Sequence, residues 1–333
     1  VSLSKNLNEK QVDIVITWVD GDDPLLKEKR DGFKTSKILA SDAVDSTRFA
    51  SDNEIYYNIA SIIKHVPFCR YIYIVTNEQI PKFIDEFVKQ GICAADKIKI
   101  IDHKDIFVGY EQFLPTFNSL SIETMICNIP ELNDHFIYMN DDFFFNQPVT
   151  ISDFLNDDNI VIHGHWNPNS PVYRNIKLRK LRRKLFGTPI QPRYVMAQML
   201  SANMLGMKRF FNVQHYPHIV DKKILKNYLN HHPQFLEAQI KYKFRDVEQV
   251  NPITLMNHLK IRKNEAHLES DVAINYIQYE NNIDTFIDDL DNRDIKFGCI
   301  QSLDQFSIVA YHRITHAMIE KFKPFLPLSI IND

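Results

Sequence analysis

Short apolar runs alternate with longer stretches of helical spacing through the first half of the chain. Val12 to Val19 reads as a strand, closed by the turn-forming run Asp20-Gly21-Asp22-Asp23-Pro24. Lys27 to Ala43 is charged and mixed, a helix followed by a loop. Ile55, Ile59, Ile62, Ile63 and Val66 recur at helical intervals, and Ser51 with Glu54 predicts a capping box before them. Arg70–Thr76 and Ile98–Asp102 read as the second and third strands, with a helix over Ile80–Gln90 between them. Leu114 to Ser119 leads into a helix reaching Asn128, with Asn118 or Ser119 near its start. Phe136–Met139 is the next strand and Asn159–His163 another. Helices are expected over 194–212, Lys222–Leu229, Phe235–Lys243 and Pro252–Lys260. Residues 266–295 are acidic and read as peripheral; Lys296–Ile300 is strand-like and a last helix covers 307–321. Strands alternating with helices predict an α/β fold with a mainly parallel sheet flanked by helices.

Composition changes this picture in a few places. Eight glycines among 333 residues leave no Gly-rich phosphate loop, so any phosphate is to be held by metal and side chains. A formal net charge of −3 gives no global attraction to nucleic acid or membrane. One local run departs from it: Arg174 to Lys184 holds seven basic residues in eleven, interleaved with Ile176, Leu178 and Leu181. It reads as a basic amphipathic helix suited to anionic lipid headgroups, against the bland alternative of a solvated helix face. The four cysteines are far apart with no Cys-x-x-Cys pair, which fits reduced core thiols in a cytoplasm. No run approaches the ~20 apolar residues of a spanning helix and no signal peptide is visible. The chain is therefore expected to be cytoplasmic, with peripheral contact at the inner face of the plasma membrane through 174–185.

The chemistry concentrates after Met139. Asn140, Asp141 and Asp142 stand between an apolar strand and Phe143-Phe144-Phe145. Adjacent carboxylates repel each other, and unpaired buried charge is expensive, so a cation is expected there. Mg²⁺ (or Mn²⁺) takes hard oxygen ligands, one or two carboxylates plus substrate phosphates. The plain alternative is a polar turn before core phenylalanines.

Four separated blocks resemble the Stealth family of sugar-phosphate transferases. The first is Asp13-Ile-Val-Ile-Thr-Trp-Val-Asp-Gly21. The second runs from Arg48 through Asn53-Glu54, Lys64-His65-Val-Pro67, Tyr71–Thr76, His103–Phe107, Leu114-Pro-Thr-Phe-Asn-Ser119 and Tyr138-Met-Asn-Asp-Asp142. The third is His215-Tyr-Pro-His218 with Phe244-Arg245. The fourth, Lys296-Phe-Gly-Cys-Ile300 and on to Asp304, departs from the family pattern after the cysteine, and Gln249 receives no role.

The resemblance implies a nucleotide-sugar-transferase-like (GT-A-like) fold and a UDP-sugar donor, UDP-GlcNAc or similar. It implies transfer of hexose-1-phosphate to an acceptor hydroxyl, releasing UMP and leaving a phosphodiester in a bacterial surface polysaccharide. The acceptor would be a glycan or lipid-linked oligosaccharide. The expected roles are Asp141 and Asp142 as metal ligands, with His218 and Arg245 catalytic beside them. Arg245, in a matching block, offers a planar fork for phosphate oxygens. His218 is the candidate general base, and His215 could exchange roles with it. Trp18, Asp20, Gly21, Asp22, Asp52, Asn53, Asn118, Asn140, His215 and Asp304 are the candidate substrate contacts. One catalytic unit is expected over 1–333. Its parts are an α/β core at 12–163, a helical acceptor- or membrane-facing part at 164–295, and a strand and helix returning at 296–333. A metal-dependent glycosyltransferase releasing UDP is the runner-up, and a non-catalytic glycan-binding module a third reading.

Overall fold

The computed structural model describes residues 10–33, 53–157, 159–187 and 193–332. In chain order come β1 (Val12–Thr17), α1 (Pro24–Phe33), α2 (Glu54–His65), β2 (Cys69–Thr76) and α3 (Glu86–Lys89). Next are β3 (Ile98–Asp102), α4 (His103–Ile106), α5 (Ser119–Met125), β4 (His135–Asn140) and β5 (Phe143–Phe145). Then follow β6 (Leu155–Asn156), β7 (Asn159–His163), β8 (His165–Pro168), α6 (Ser170–Phe186), α7 (Tyr194–Met204) and β9 (Arg209–Asn212). After β10 (His218–Asp221) the chain forms α8 (Lys222–His231), α9 (Pro233–Ile240) and α10 (Pro252–Arg262). It ends with β11 (Ala266–Glu269), β12 (Ile274–Ile277), α11 (Ile283–Asp289), β13 (Phe297–Ile300), α12 (Ile308–Phe322) and α13 (Leu328–Ile331).

The main sheet has the order β10-β4-β1-β2-β3, parallel except for β10 on one edge. Val12, Ile14, Val15 and Ile16 are fully buried, as are Phe136, Ile137 and Met139, which is why both strands read as nearly continuous apolar runs. At one end of β1 the buried Asp13 carboxylate takes both arms of Arg70, at 2.8 and 2.7 Å, and the Asn133 N–H at 2.8 Å. At the other end lies the feature that matters for function. β1 leads to β2 on one side while β4 returns on the other, so the strand order reverses between them. Thr17 pairs with Asn140 across that point. Open α/β sheets bind ligands outside the carboxyl ends of strands at such a reversal.

The C-terminal part returns to this end. β13 lies antiparallel to β5 and parallel to β12. Gly298 faces Phe144 across the pair so closely that a Cβ there would stand 2.1 Å from the ring. The absent side chain is what lets Phe144 pack edge-on to Phe286 and Phe322.

Several expectations need correction. The Ile80–Gln90 helix is reduced to α3, because Ile84 N–H bonds Pro81 O and Glu86 N–H bonds Phe83 O, the spacing of tight turns. The 194–212 helix stops at Met204; Gly206 adopts φ +74°, and Arg209–Asn212 is a strand paired with β8. α9 starts at Pro233 and ends at Ile240, short of Lys243. The capping box gives way to Asn53 as the N-cap of α2, at φ 67°, while Ser51 lies outside the described residues. The acidic 266–295 stretch is not peripheral throughout, since it supplies β11 and β12 and buries Phe286. Among the described residues no helix is long and apolar enough to cross a membrane.

The basic stretch is helical, as α6, yet its apolar residues are not gathered on a buried face. Leu178, Leu181, Leu185 and Phe186 are exposed alongside Lys177, Arg182 and Lys184. Lys180 pairs with Glu248 at 3.3 Å and Arg183 with Asp246 at 3.0 Å.

Candidate active site

β4 ends at Asn140, and the chain turns through Asp141 and Asp142 into the buried Phe143–Phe145 strand. Neighbours fix the turn's backbone from two sides. Fully buried Asn58 on α2 donates to Asn140 O at 2.9 Å, and Ile300 N–H donates to Asp142 O at 2.8 Å. Tyr138 Oη stands 3.0 Å from both Thr17 Oγ1 and Asn140 Oδ1. Burial raises both carboxyls above the ordinary range, and the charge of Asp142 raises Asp141 further. Cys299 Sγ, 3.6 Å from Asp142 Oδ2, is a weak partner, and Asp142 Oδ1 is buried with no hydrogen bond. An unfilled buried oxygen in a hard-donor pair fits a divalent cation whose other ligands are phosphate and water. Among the described residues no three His, Cys, Asp or Glu converge on a metal position, so substrate would have to complete the shell.

A cavity of about 450 Å³ opens over these acids. Trp18, Val75, His103, Thr116 and Phe117 are part of its wall. His103 Nδ1 and Thr116 Oγ1 are buried without hydrogen bonds, and burial pushes the His103 imidazole down to about 4, so it is neutral. His215, Arg245, Cys299, Gln301 and Asp304 line the same cavity.

Arg245 reaches the cavity because the Leu114–Ser119 run is fastened to the segment that bears it. Phe117 N–H donates to Lys243 O at 2.9 Å, and the Phe117 and Phe244 rings stack at 5.6 Å. Asn118 caps α5 by accepting from Leu120 N–H, and its Nδ2 lies 2.8–3.1 Å from Tyr242 O, Phe244 O and Gln249 Oε1. Arg245 then donates to Ser119 Oγ from Nε at 3.0 Å. Buried Gln249 braces the same segment, accepting from Asp246 N–H at 2.9 Å and donating to Gln239 O at 2.8 Å.

The two histidines separate. His215 stacks on Tyr194 at 4.4 Å, meets Phe143 edge-on, and is pushed down to about 4 by burial and then by Arg245. His218, on β10 opposite Tyr138, packs against Tyr216 at 4.3 Å and is pushed down to about 3, chiefly by burial. It lines a smaller recess of about 70 Å³ with Glu123, Tyr138, Arg245 and His215 itself, but not the cavity that holds the acids, which His215 alone of the two also reaches. Glu123, absent from the sequence reading, is buried beneath Arg245, and burial raises its carboxyl to about 7 against the pull of that guanidinium. A single charge amid Leu120, Ile122, Met125 and Ile126 was the signal for it.

Trp18, Asn140, Asp141, Asp142, His215, Arg245 and Asp304 thus share one cavity. Asp20, Gly21 and Asp22 are not on its wall: Asp20 Oδ1 accepts from Asp22 N–H at 2.9 Å and Asp20 N–H donates to Gln79, a self-contained turn. Asn118 spends its groups on the cap and the 242–249 segment rather than on the cavity, and Asn53 shapes the start of α2. Asp52 lies outside the described residues.

Residues 10–37 match Stealth protein CR1, conserved region 1, and residues 48–162 match Stealth protein CR2, conserved region 2. The capsular polysaccharide phosphotransferase cps1A of Actinobacillus pleuropneumoniae is 37% identical over 161 residues, covering 47% of this chain and 42% of that protein. The exopolysaccharide phosphotransferase cps2G of Lactiplantibacillus plantarum is 31% identical over 268 residues, 75% of each chain. The chain belongs to the Stealth family. The matched segment spans less than half of the length of several such relatives. Among solved structures, mouse xyloside xylosyltransferase 1 is similar at TM-score 0.40 and 10% identity, covering 87% of this chain and 97% of that one. GlyE of Streptococcus pneumoniae is similar at TM-score 0.41 and 14% identity, covering 96% and 64%. The two Stealth regions supply the four parallel strands of the main sheet, both acids, Asn58 and Glu123; β10, His215, Arg245, Cys299 and Asp304 come from beyond them.

Proposed function

We propose that the chain transfers hexose-1-phosphate from a UDP-sugar, UDP-GlcNAc or similar, to a hydroxyl of an acceptor glycan in bacterial surface polysaccharide synthesis. The observation that carries this reading is the acid pair with its unpartnered Asp142 Oδ1, facing one cavity with Arg245 and His215. Mg²⁺ or Mn²⁺ on Asp141 and Asp142 would neutralise charge on the donor diphosphate. The nucleoside fits the Trp18–Phe117 part of the wall, where His103 and Thr116 offer unsatisfied polar atoms. Arg245 forks onto the oxygens of the sugar-bearing phosphate. His215, neutral in the folded chain, takes the proton of the attacking acceptor hydroxyl. The new bond joins acceptor oxygen to the sugar-bearing phosphorus. The bond from that phosphorus to the bridging oxygen breaks, and UMP leaves with that oxygen.

A glycosyltransferase would instead break the bond between anomeric carbon and oxygen and release UDP. Incubation with a panel of UDP-sugars, Mg²⁺ and glycan acceptor, followed by chromatography of the nucleotide and phosphorus NMR of the glycan, separates the two. UMP in step with a phosphodiester resonance is expected. UDP with no phosphorus in the glycan refutes phosphotransfer, and binding without metal-dependent turnover leaves a glycan-binding module.

We also propose that α6 meets the cytoplasmic membrane surface, since Arg182 and Lys184 are exposed together with Leu178, Leu181, Leu185 and Phe186. Arg182 and Lys184 changed to Gln should weaken binding to anionic liposomes roughly thirtyfold, at about 1 kcal/mol each. Lys180 and Arg183 are left in place because they hold the 246–248 segment. Unchanged liposome binding returns α6 to a solvated face.

A further inference from the structure

A second, larger depression lies next to the reaction centre. A groove of about 800 Å³ is bounded by α7, β9 and β12 and shares His215 with the acid-lined cavity. Tyr276 also links the two: its hydroxyl bonds Gln301, and Gln278 Oε1 lies 3.0 Å away, both glutamines lining the acid cavity. The groove wall carries Tyr194 and Tyr276, the amides of Asn175, Asn212 and Gln214, and the guanidinium of Arg193. Among the described residues lining it there is no carboxylate. Asn212 Oδ1 is buried with no hydrogen bond, while its Nδ2 stands 3.4 Å from His165, a ring fixed by Asp271 at 2.7 Å.

We propose that this groove binds the acceptor, an oligosaccharide that already carries phosphodiesters. The proposal rests on the phosphotransferase reading above. Amides and phenol hydroxyls match the donors and acceptors of sugar hydroxyls, and aromatic faces cover the apolar faces of the rings. A cation in a wall without carboxylates suits a polyanion, and Arg presents the fork that phosphate takes. The volume lies in the range of ligand clefts and accommodates more than one sugar. His215 at the junction then stands between a hydroxyl presented from the groove and a donor held over the acids. An acceptor bearing phosphodiesters is the reaction's own product, so the site would serve repeated transfer.

The test uses surface polysaccharide from the cells that make this protein, cut to short oligosaccharides. One half is treated with hydrofluoric acid, which cleaves the phosphodiesters and leaves the phosphate-free sugar units between them. Calorimetric titration with the untreated fragments should show binding to the wild type, weakened roughly tenfold by Arg193→Gln and by Asn212→Ala. The treated fragments should bind the wild type more weakly and be insensitive to Arg193→Gln. The donor KM, read from nucleotide release, should stay the same in both variants. Absence of binding to the wild type, equal affinity in the variants, or a changed donor KM overturns the groove as acceptor site. Equal affinity for treated and untreated fragments overturns the anionic acceptor. If the variants weaken fragment binding while the nucleotide released is UDP, the groove stands and the phosphotransfer reading falls.

Discussion

Asp142→Asn is expected to fold normally and to lose roughly 10²–10³ in kcat, the scale of removing one electrostatic stabiliser of a transition state. Asp141→Asn should follow it, and EDTA should reproduce both losses in the wild type. The substitution keeps the shape of a side chain on a turn already clamped by Asn58 at Asn140 O and by Ile300 N–H at Asp142 O. What it removes is the charge on a buried oxygen that no protein donor satisfies. Undiminished turnover in both variants and in EDTA would remove the metal site from the reaction.

The same pair leaves a signature in stability. Both carboxyls are raised in the folded chain, by burial first and, for Asp141, by its neighbour as well. The native state therefore holds protons that the unfolded chain has already released. Without metal, the pair's contribution is most favourable below the ordinary carboxylate range and declines as pH rises through the raised folded values. Bound Mg²⁺ favours the ionised form and works against that decline. In EDTA, the wild-type thermal midpoint should fall relative to Asp142→Asn as pH rises, and Mg²⁺ should raise the wild type most at the alkaline end. A constant difference between the two proteins across pH would contradict the burial of this charge.

The acid pair was legible in the sequence because its signal is local: a short apolar strand, two acids, then phenylalanines. The four parallel strands were legible for the same reason. Asn118 was correctly placed at a helix start, but its hydrogen bonds to 242–249 cross more than a hundred positions and no local pattern announces them. β9 reads as helix in the sequence because Phe210 and Phe211 extend the apolar content of α7, and only the pairing with β8 makes them a strand. Glu123 and Asn58 are each one polar residue on an apolar helix face, a pattern that reads as a blemish until the partner appears. The choice between His215 and His218 could not be made from spacing, since three residues apart in an irregular segment fixes neither ring. Burial of His218 against Tyr216 and the place of His215 on the wall of the acid-lined cavity are what support the proposal of His215 as the base.

That choice carries the second large effect. His215→Ala should lower kcat by about 10²–10⁴, the range for a lost general base, with the donor KM little changed. The ring stands at the boundary of cavity, recess and groove, and its depressed pKa keeps it neutral at working pH. His218→Ala should behave differently. It empties a buried position against Tyr216 and opposite Tyr138, so it should lower stability by about 2–4 kcal/mol and leave more turnover at saturating substrate. Measuring kcat, donor KM and the unfolding midpoint for both variants tells a chemical loss from a packing loss. Added imidazole sharpens the comparison: it can enter the space left by His215, which opens to the cavity, and should restore part of the turnover there. It should do nothing for His218→Ala. If His218→Ala loses as much kcat as His215→Ala with its midpoint intact, and imidazole rescues that variant instead, the base is His218.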